Sequence, residues 1–254
     1  MDTIKAVFDY TLKEHLRHKA WLSAALFGVA LLAGGLVASA LGQEERGRLM
    51  LDLGLAANEA LAMVSAVFLT VHLVLQEIES RAIFLILTHP VARWQYLLGR
   101  WLGTVAAVGL AMAGMGAAHL LALQAFGGAP LLPYLGVLGL AFAKTAVMAA
   151  LALLLSLALT SEAAAMAFSG FFFVLGHFAP ELRFLAEKSG SVPVRTVMVA
   201  FSHAAPDFSR LTPREAWSGG LPDPAWFALA FLYAAAYAAA CLALSTQVFE
   251  QKEF

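Results

Sequence analysis

The chain has 254 residues, of which 61% are hydrophobic and 13% charged, and its mean hydropathy is +0.78, which excludes a water-soluble globular protein. The formal net charge of −1 and the lack of a basic tract give no indication of a nucleic-acid partner. The single cysteine, Cys241, excludes an internal disulfide.

Six apolar stretches reach or approach the roughly 20 residues that a helix needs to cross a bilayer. The first is too long for the apolar region of a typical signal peptide, so we interpret it as a retained span. The fourth and fifth are separated only by Ser161 and Glu162. A single helix over 134–178 would be about 68 Å long, roughly twice the bilayer thickness, so the chain must turn back near Thr160. The predicted spans are 21–41, 60–76, 102–126, 134–159, 163–178 and 225–246.

The segments between these spans differ in character. A charged segment at 43–59 connects the first two spans, and 127–130 forms a tight turn. Residues 179–224 contain six prolines interleaved with apolar clusters, which favours short interfacial helices joined by turns over a separate domain. The whole chain, 1–254, is therefore one transmembrane domain. In the last span, the alanine runs around Tyr237 suit close helix packing.

The loop at 77–101 is the most informative polar segment, because it carries two acids and three arginines in an otherwise apolar chain. Pro90 fixes a turn, and residues 91–98 can form a short helix across the membrane surface. The simplest interpretation is a solvated helix end, with Glu77 and Arg81 as an ordinary i,i+4 pair. We favour a contact surface for a soluble partner, and we expect Glu77, Arg81 and Arg93 to lie at the aqueous edge, where alanine substitutions would cost little stability. Its residues are Glu77, Glu79, Arg81, Pro90, Arg93, Trp94, Gly99 and Arg100.

Lys144 lies inside the fourth apolar stretch, where a charge costs at least about 2.5–3.5 kcal/mol unless it pairs or reaches the interface. It either faces a polar cavity on a translocation path or extends to the membrane surface. His72, His119 and His177 lie in different spans without ligand spacing, so we predict no metal site. The sequence also lacks a phosphate-binding loop, a G-x-S-x-G motif and an H-E-x-x-H motif, so no catalytic residues are assigned.

An even number of spans places both termini on one side of the membrane. Lys and Arg are more frequent before the first span than after it, which favours a cytoplasmic N-terminus. The segment at 179–224 would then lie outside the cytoplasm as a lid over the exit path. The surface that an accessory protein would use comprises His177, Glu181, Arg183, Asp207 and Arg210.

The run from Gln76 to Gly103 resembles the cytoplasmic signature of ABC-2 type transporter permeases, with an acid-rich end of the second span, a Pro-Val-x-Arg turn and a Leu-Gly-Arg start of the third. Segments 176–182 and 205–208 and the ending at 248–254 resemble the branch that includes nitrous-oxide-reductase maturation and gliding-type permeases. Arg81 and Arg100 depart from the residues common in that family.

The resemblance implies an all-α integral membrane protein with six spans, an amphipathic N-terminal helix, a cytoplasmic coupling helix, and re-entrant outer helices between spans 5 and 6. Apolar residues at helical spacing over 3–19 agree with the N-terminal helix. The resemblance also implies that the chain is the permease subunit of an exporter in the inner membrane. It would pair with a second permease subunit as a homodimer. A separate ATPase subunit would bind ATP and Mg, and this chain itself would bind no cofactor. The alternative is a membrane enzyme or secondary carrier that uses Lys144, Glu162 and the histidines. The sequence does not identify the substrate.

Overall fold

The computed structural model describes residues 2–17, 20–38, 43–80, 92–124, 130–189, 191–212 and 223–251, which are helices and short connections without a strand. The predicted all-α class is therefore confirmed for this part of the chain. The helices are α1 Asp2–Arg17, α2 Ala20–Ala38, α3 Gln43–Glu79, α4 Arg93–Leu123, α5 Leu131–Ala158, α6 Glu162–His177, α7 Ala179–Lys188, α8 Val192–Ala204 and α9 Pro224–Gln251, with a 3₁₀ turn at Phe208–Leu211 between α8 and α9.

Four of the described helices, α3, α4, α5 and α9, are long and apolar enough to cross a membrane. A fifth span results if α6 and α7, which are bent by 68° relative to each other, are counted as one broken element. Helix α2 has a shorter apolar part, Ala25–Gly35. Each of the six predicted spans lies mainly on a helix, but length and composition support four or five spans.

The charged segment at 43–59 is not a connection. It forms the first half of α3, a continuous helix of 37 residues that is about 55 Å long. Glutamate, arginine, leucine and alanine, all good helix formers, dominate this segment, and it contains no proline. The helix can therefore continue through the polar residues, and it carries Asn58 and Glu59 against the neighbouring helices.

The reversal near residue 160 and the short helices beyond it agree with the sequence prediction. Helix α5 ends at Ala158, and the Ser161 side chain caps α6 by accepting a hydrogen bond from the Ala164 amide at 3.4 Å. Pro180 and Pro193 lie in the first turns of α7 and α8, where a missing N–H group costs nothing. Prolines thus begin these two helices.

Helix α5 is the centre of the bundle and packs against α9 on one side and α3 on the other. Residues 147–153 of α5 are buried. Helix α9 presents small side chains at four-residue intervals to this core, namely Ala230, Ala234 and Ala238. Small residues at such spacing let two helices approach closely, as the alanine-rich composition predicts.

The helix bundle has two different ends. The junction end contains the last turn of α3, the first turns of α4 and the last turn of α9, with α1 packed along α4. The short-helix end contains α7, α8 and the 3₁₀ turn, which pack on one another and on α6.

Candidate functional site

Helix α1 lies in close contact with the start of α4 because two glycines of α4 leave room for it. A Cβ atom built on Gly99 would lie 2.8 Å from the Cβ atom of Val7, and one built on Gly103 would lie 2.6 Å from that of Thr11. Both distances are shorter than van der Waals contact, so the glycines determine how closely α1 approaches. The predicted N-terminal helix is confirmed, and the face that carries Val7, Thr11 and His15 packs on α4.

Arg100 occupies the centre of this contact and is only 3% exposed. Its Nη1 donates to Glu14 Oε2 at 3.1 Å and to Thr11 Oγ1 at 3.2 Å. Its Nη2 forms an ion pair with Glu77, and the Tyr96 hydroxyl donates to the same carboxylate. We call Glu14, Glu77, Tyr96 and Arg100 the charged junction. It joins α1, α3 and α4 through buried charges.

Helix α9 also contacts the residues at the start of α4, beside the charged junction. The Arg93 guanidinium donates to the Phe249 carbonyl oxygen at 2.5 Å and lies 5.5 Å from the centre of the Phe249 ring. Tyr96 stacks on that ring with a centroid distance of 6.1 Å. A further hydrogen bond joins α1 to α4, between His15 Nε2 and Thr104 Oγ1 at 2.8 Å.

The ion pairs of the charged junction stabilise the contact among its helices. Breaking a buried ion pair by removing one partner typically costs about 3–5 kcal/mol, because the remaining charge has no compensation. The segment at 80–92 connects α3 to α4 at this point. The described ends of α3 and α4 are thus joined to each other and to α1 through buried charges.

Some of the predicted contact residues are exposed in the structure and others are buried. Glu79 and Trp94 are exposed, Trp94 by 50%, and Arg93 is half-buried. These residues are accessible to a partner, and the contact itself stays a prediction. Arg81 and Pro90 lie outside the described residues.

The expectation that Glu77 lies at the aqueous edge is wrong, and two further residues of the predicted contact set, Gly99 and Arg100, are also buried. The chain itself covers them, since α1 packs over Gly99 and Arg100, and Glu77 is only 8% exposed. The described part of the predicted 91–98 helix is also not separate. Residues from Arg93 onward form the first turns of α4, which contains no proline to interrupt it.

Lys144 is buried and pairs with an acidic residue of α3. It is 5% exposed, and its Nζ donates to Glu59 Oε1 at 2.9 Å. The polar half of α3 thus neutralises the charge that the sequence places inside an apolar helix. A role of Lys144 in a translocation path stays a prediction.

The predicted outer surface is partly assembled by its own ion pairs. Arg183 Nη1 lies 3.0 Å from Asp207 Oδ2, and Arg210 Nε lies 3.5 Å from the same oxygen. The backbone amide of Asp207 donates to the Tyr233 hydroxyl at 2.7 Å, which ties this group to α9. Glu181 is exposed on α7. The 3₁₀ turn and α7 are therefore held together as one layer.

The histidines have separate partners. His72 pairs with Glu162 at 2.9 Å, and His177 lies 3.8 Å from Glu59. His119 contacts the Tyr134 hydroxyl and the Met50 carbonyl, each at 3.0 Å. In the described ranges, no three His, Cys, Asp or Glu residues are grouped so that they could hold a metal ion.

Sequence reasoning missed Glu14, Glu59 and Tyr96, which supply the partners of the buried cations. The signal for Glu59 was the unpaired Lys144, since a buried lysine requires an acid nearby. The signal for Glu14 was its position within the amphipathic helix. Neither signal identifies the partner without the packing of the helices.

A family model described as "ABC-2 family transporter protein" matches residues 41–254, which is most of the chain. The chain belongs to the ABC-2 transporter family. This agrees with the resemblance in the 76–103 segment and identifies an integral membrane component of a transporter. The alternative interpretation as a membrane enzyme receives no support from an ABC-2 family match. None of the curated proteins compared with the chain matches it.

Proposed function

We propose that this ABC-2 family chain is the permease subunit of an exporter that is driven by ATP hydrolysis in a separate ATPase subunit. The charged junction is the observation that supports this proposal most directly. It ties the two helices that flank the 80–92 segment to α1 and α9. A soluble motor that moves this segment would transmit its motion to four helices as one body.

The proposed arrangement has six spans, formed by α2, α3, α4, α5, α6 and α9, with both termini and the junction end in the cytoplasm. Helix α6 would be a short fifth span, followed by the bend into α7. The short-helix end would then face outward and cover the exit path. The proposed location is the inner membrane, with an accessory protein as a further candidate partner at the outer surface.

ATP and Mg would bind to the partner ATPase, and two copies of the permease would form the translocation path between them. The exposed residues Glu79 and Trp94, with the half-buried Arg93, would contact the ATPase. Glu77, Gly99 and Arg100 would lie beneath the contact surface and fix its position through their contacts with neighbouring helices. This assignment separates residues that bind the partner from residues that transmit the movement.

Coexpression with an ATP-binding cassette ATPase encoded beside this chain would test the proposal. We expect the two to copurify, and we expect the permease alone to hydrolyse no ATP. Trp94→Ala and Glu79→Ala should weaken the association while the permease remains folded. Glu187→Ala, an exposed substitution at the opposite end, is the matched control. Vanadate-sensitive hydrolysis by the isolated permease, or equal association of all three variants, would contradict the proposal.

A further inference from the structure

A second polar cluster joins three helices at a distance from the charged junction. Glu59 of α3 lies 2.9 Å from Lys144 Nζ of α5 and 3.8 Å from Nε2 of His177, the last residue of α6. Lys144 is buried, whereas the side chains of Glu59 and His177 are 22% and 36% exposed. The cluster therefore lies at the edge of the core.

The hydrogen bonds of His177 determine which ring nitrogen carries a hydrogen. Its Nδ1 lies 3.0 Å from the Phe173 carbonyl oxygen, and a carbonyl oxygen only accepts hydrogen bonds. Nδ1 is therefore the donor. A neutral imidazole has one N–H group, so Nε2 then presents a lone pair toward the Glu59 carboxylate. Only the protonated ring has a hydrogen, and a positive charge, on the side facing Glu59.

His72 provides an internal contrast, because it pairs with Glu162 through Nδ1 itself, at 2.9 Å. That nitrogen can carry a hydrogen in both the neutral and the protonated ring. The contact of α3 with the first turn of α6 therefore persists in either state. The contact of α3 with the last residue of α6 is attractive in one state and repulsive in the other.

We propose that His177 and Glu59 form a proton-binding site that fastens the end of α6 to α3. The short-helix layer moves with this end, because the His177 ring lies 5.2 Å from the Phe208 ring and Gly176 packs against the Pro206 carbonyl. Protonation of His177 adds an ion pair with Glu59 that holds the short-helix layer against α3. Loss of the proton removes that ion pair and lets the layer move away from α3.

The other described charged groups on α7, α8 and the 3₁₀ turn are either paired with one another or exposed. Arg183 of α7 pairs with Asp207 beside the 3₁₀ turn, and Arg210 lies next to the same carboxylate. On α8, Arg195 is exposed, and Nδ1 of His203 donates to the Val199 carbonyl oxygen at 2.8 Å. Among the described residues, Glu59 from α3 thus pairs with His177, and Lys144 from α5 pairs with Glu59. Lys144 stays paired with Glu59 in both states, so His177 is the group that switches.

The test uses the full chain in lipid nanodiscs, with Cys241 replaced by serine and spin labels at Ala56 and Glu187, both exposed. Electron spin resonance would measure the distance between the labels on α3 and α7 at about pH 5.5 and about pH 8. We expect a single short distance at the lower pH and an additional longer one at the higher pH. An unchanged distance distribution would overturn the proposal.

Three variants make the result specific. His177→Asn retains a donor for the Phe173 carbonyl but is too short for Glu59, so it should give the high-pH distances at both pH values. His177→Gln presents an N–H group toward Glu59 without titrating, so it should keep the short distance. His72→Asn is the control and should respond to pH like the unchanged protein. A pH response that persists in His177→Asn would overturn the proposal.

A spectroscopic measurement checks the starting state without labels. In ¹⁵N-histidine spectra, the His177 signal is identified by its loss in His177→Asn. We expect the Nδ1–H form of the neutral ring, and a neutral ring with the hydrogen on Nε2 would contradict the geometry. These measurements need no ATPase, so their failure would leave the proposed transport function intact.

Discussion

Replacing Arg100 by alanine tests whether the charged junction holds the helices together. The substitution removes the cation that lies between Glu14 and Glu77. Glu77 would remain buried, with the Tyr96 hydroxyl as a donor. Loss of one partner from a buried pair typically lowers the free energy of unfolding by about 3–5 kcal/mol. We expect a loss in this range for Arg100→Ala, measured by unfolding in mixed micelles with increasing SDS and followed by circular dichroism.

Glu79→Ala is the matched control, since Glu79 lies two residues from Glu77 on the same helix but is exposed. Exposed substitutions usually change stability by no more than about 0.5 kcal/mol. The double variant Glu77→Gln with Arg100→Met should recover part of the loss, because it removes both buried charges. Equal stability of Arg100→Ala and Glu79→Ala would refute the view that a buried ion pair joins these helices.

Three further predictions concern other parts of the chain. Gly103→Leu should displace α1 from α4 and increase protease cleavage in α1, whereas Gly114→Leu, where nothing lies within 4 Å of an added Cβ atom, should leave the cleavage rate unchanged. Lys144→Met should destabilise the protein by about 3–5 kcal/mol in SDS titrations, and adding Glu59→Gln should restore most of that loss. A cysteine at Ser191, in a background without the native cysteine, should react in intact cells with a membrane-impermeant thiol reagent, and labelling only after lysis would reverse the proposed topology.

The sequence predicts the apolar helices well, because their length and hydropathy do not depend on what surrounds them. The reversal near Ser161 follows from bilayer thickness alone, and the short helices after His177 follow from their prolines. The helical character of 43–59 was missed, since charged residues in a membrane protein favour the interpretation as a loop. Only the position of Glu59 beside Lys144 shows that these polar residues belong inside the bundle.

The charged junction could not be predicted as a unit. Glu77 and Arg100 come from the two sides of one loop, and exposed charges in a loop have the same composition as buried ones. What distinguishes them is the packing of α1 over Gly99, which removes Arg100 from water. That packing depends on a contact between distant parts of the chain. A local pattern does not contain this information.

The bond between Arg93 and Phe249 also bears on how the protein is made. Its two residues are 156 positions apart in the chain. During synthesis, α1, α3 and the start of α4 emerge long before the last turn of α9 exists. These three helices can therefore form their charged contacts early, whereas Arg93 gains its acceptor only when α9 is inserted. This bond therefore joins α4 to α9 only after α9 is in place.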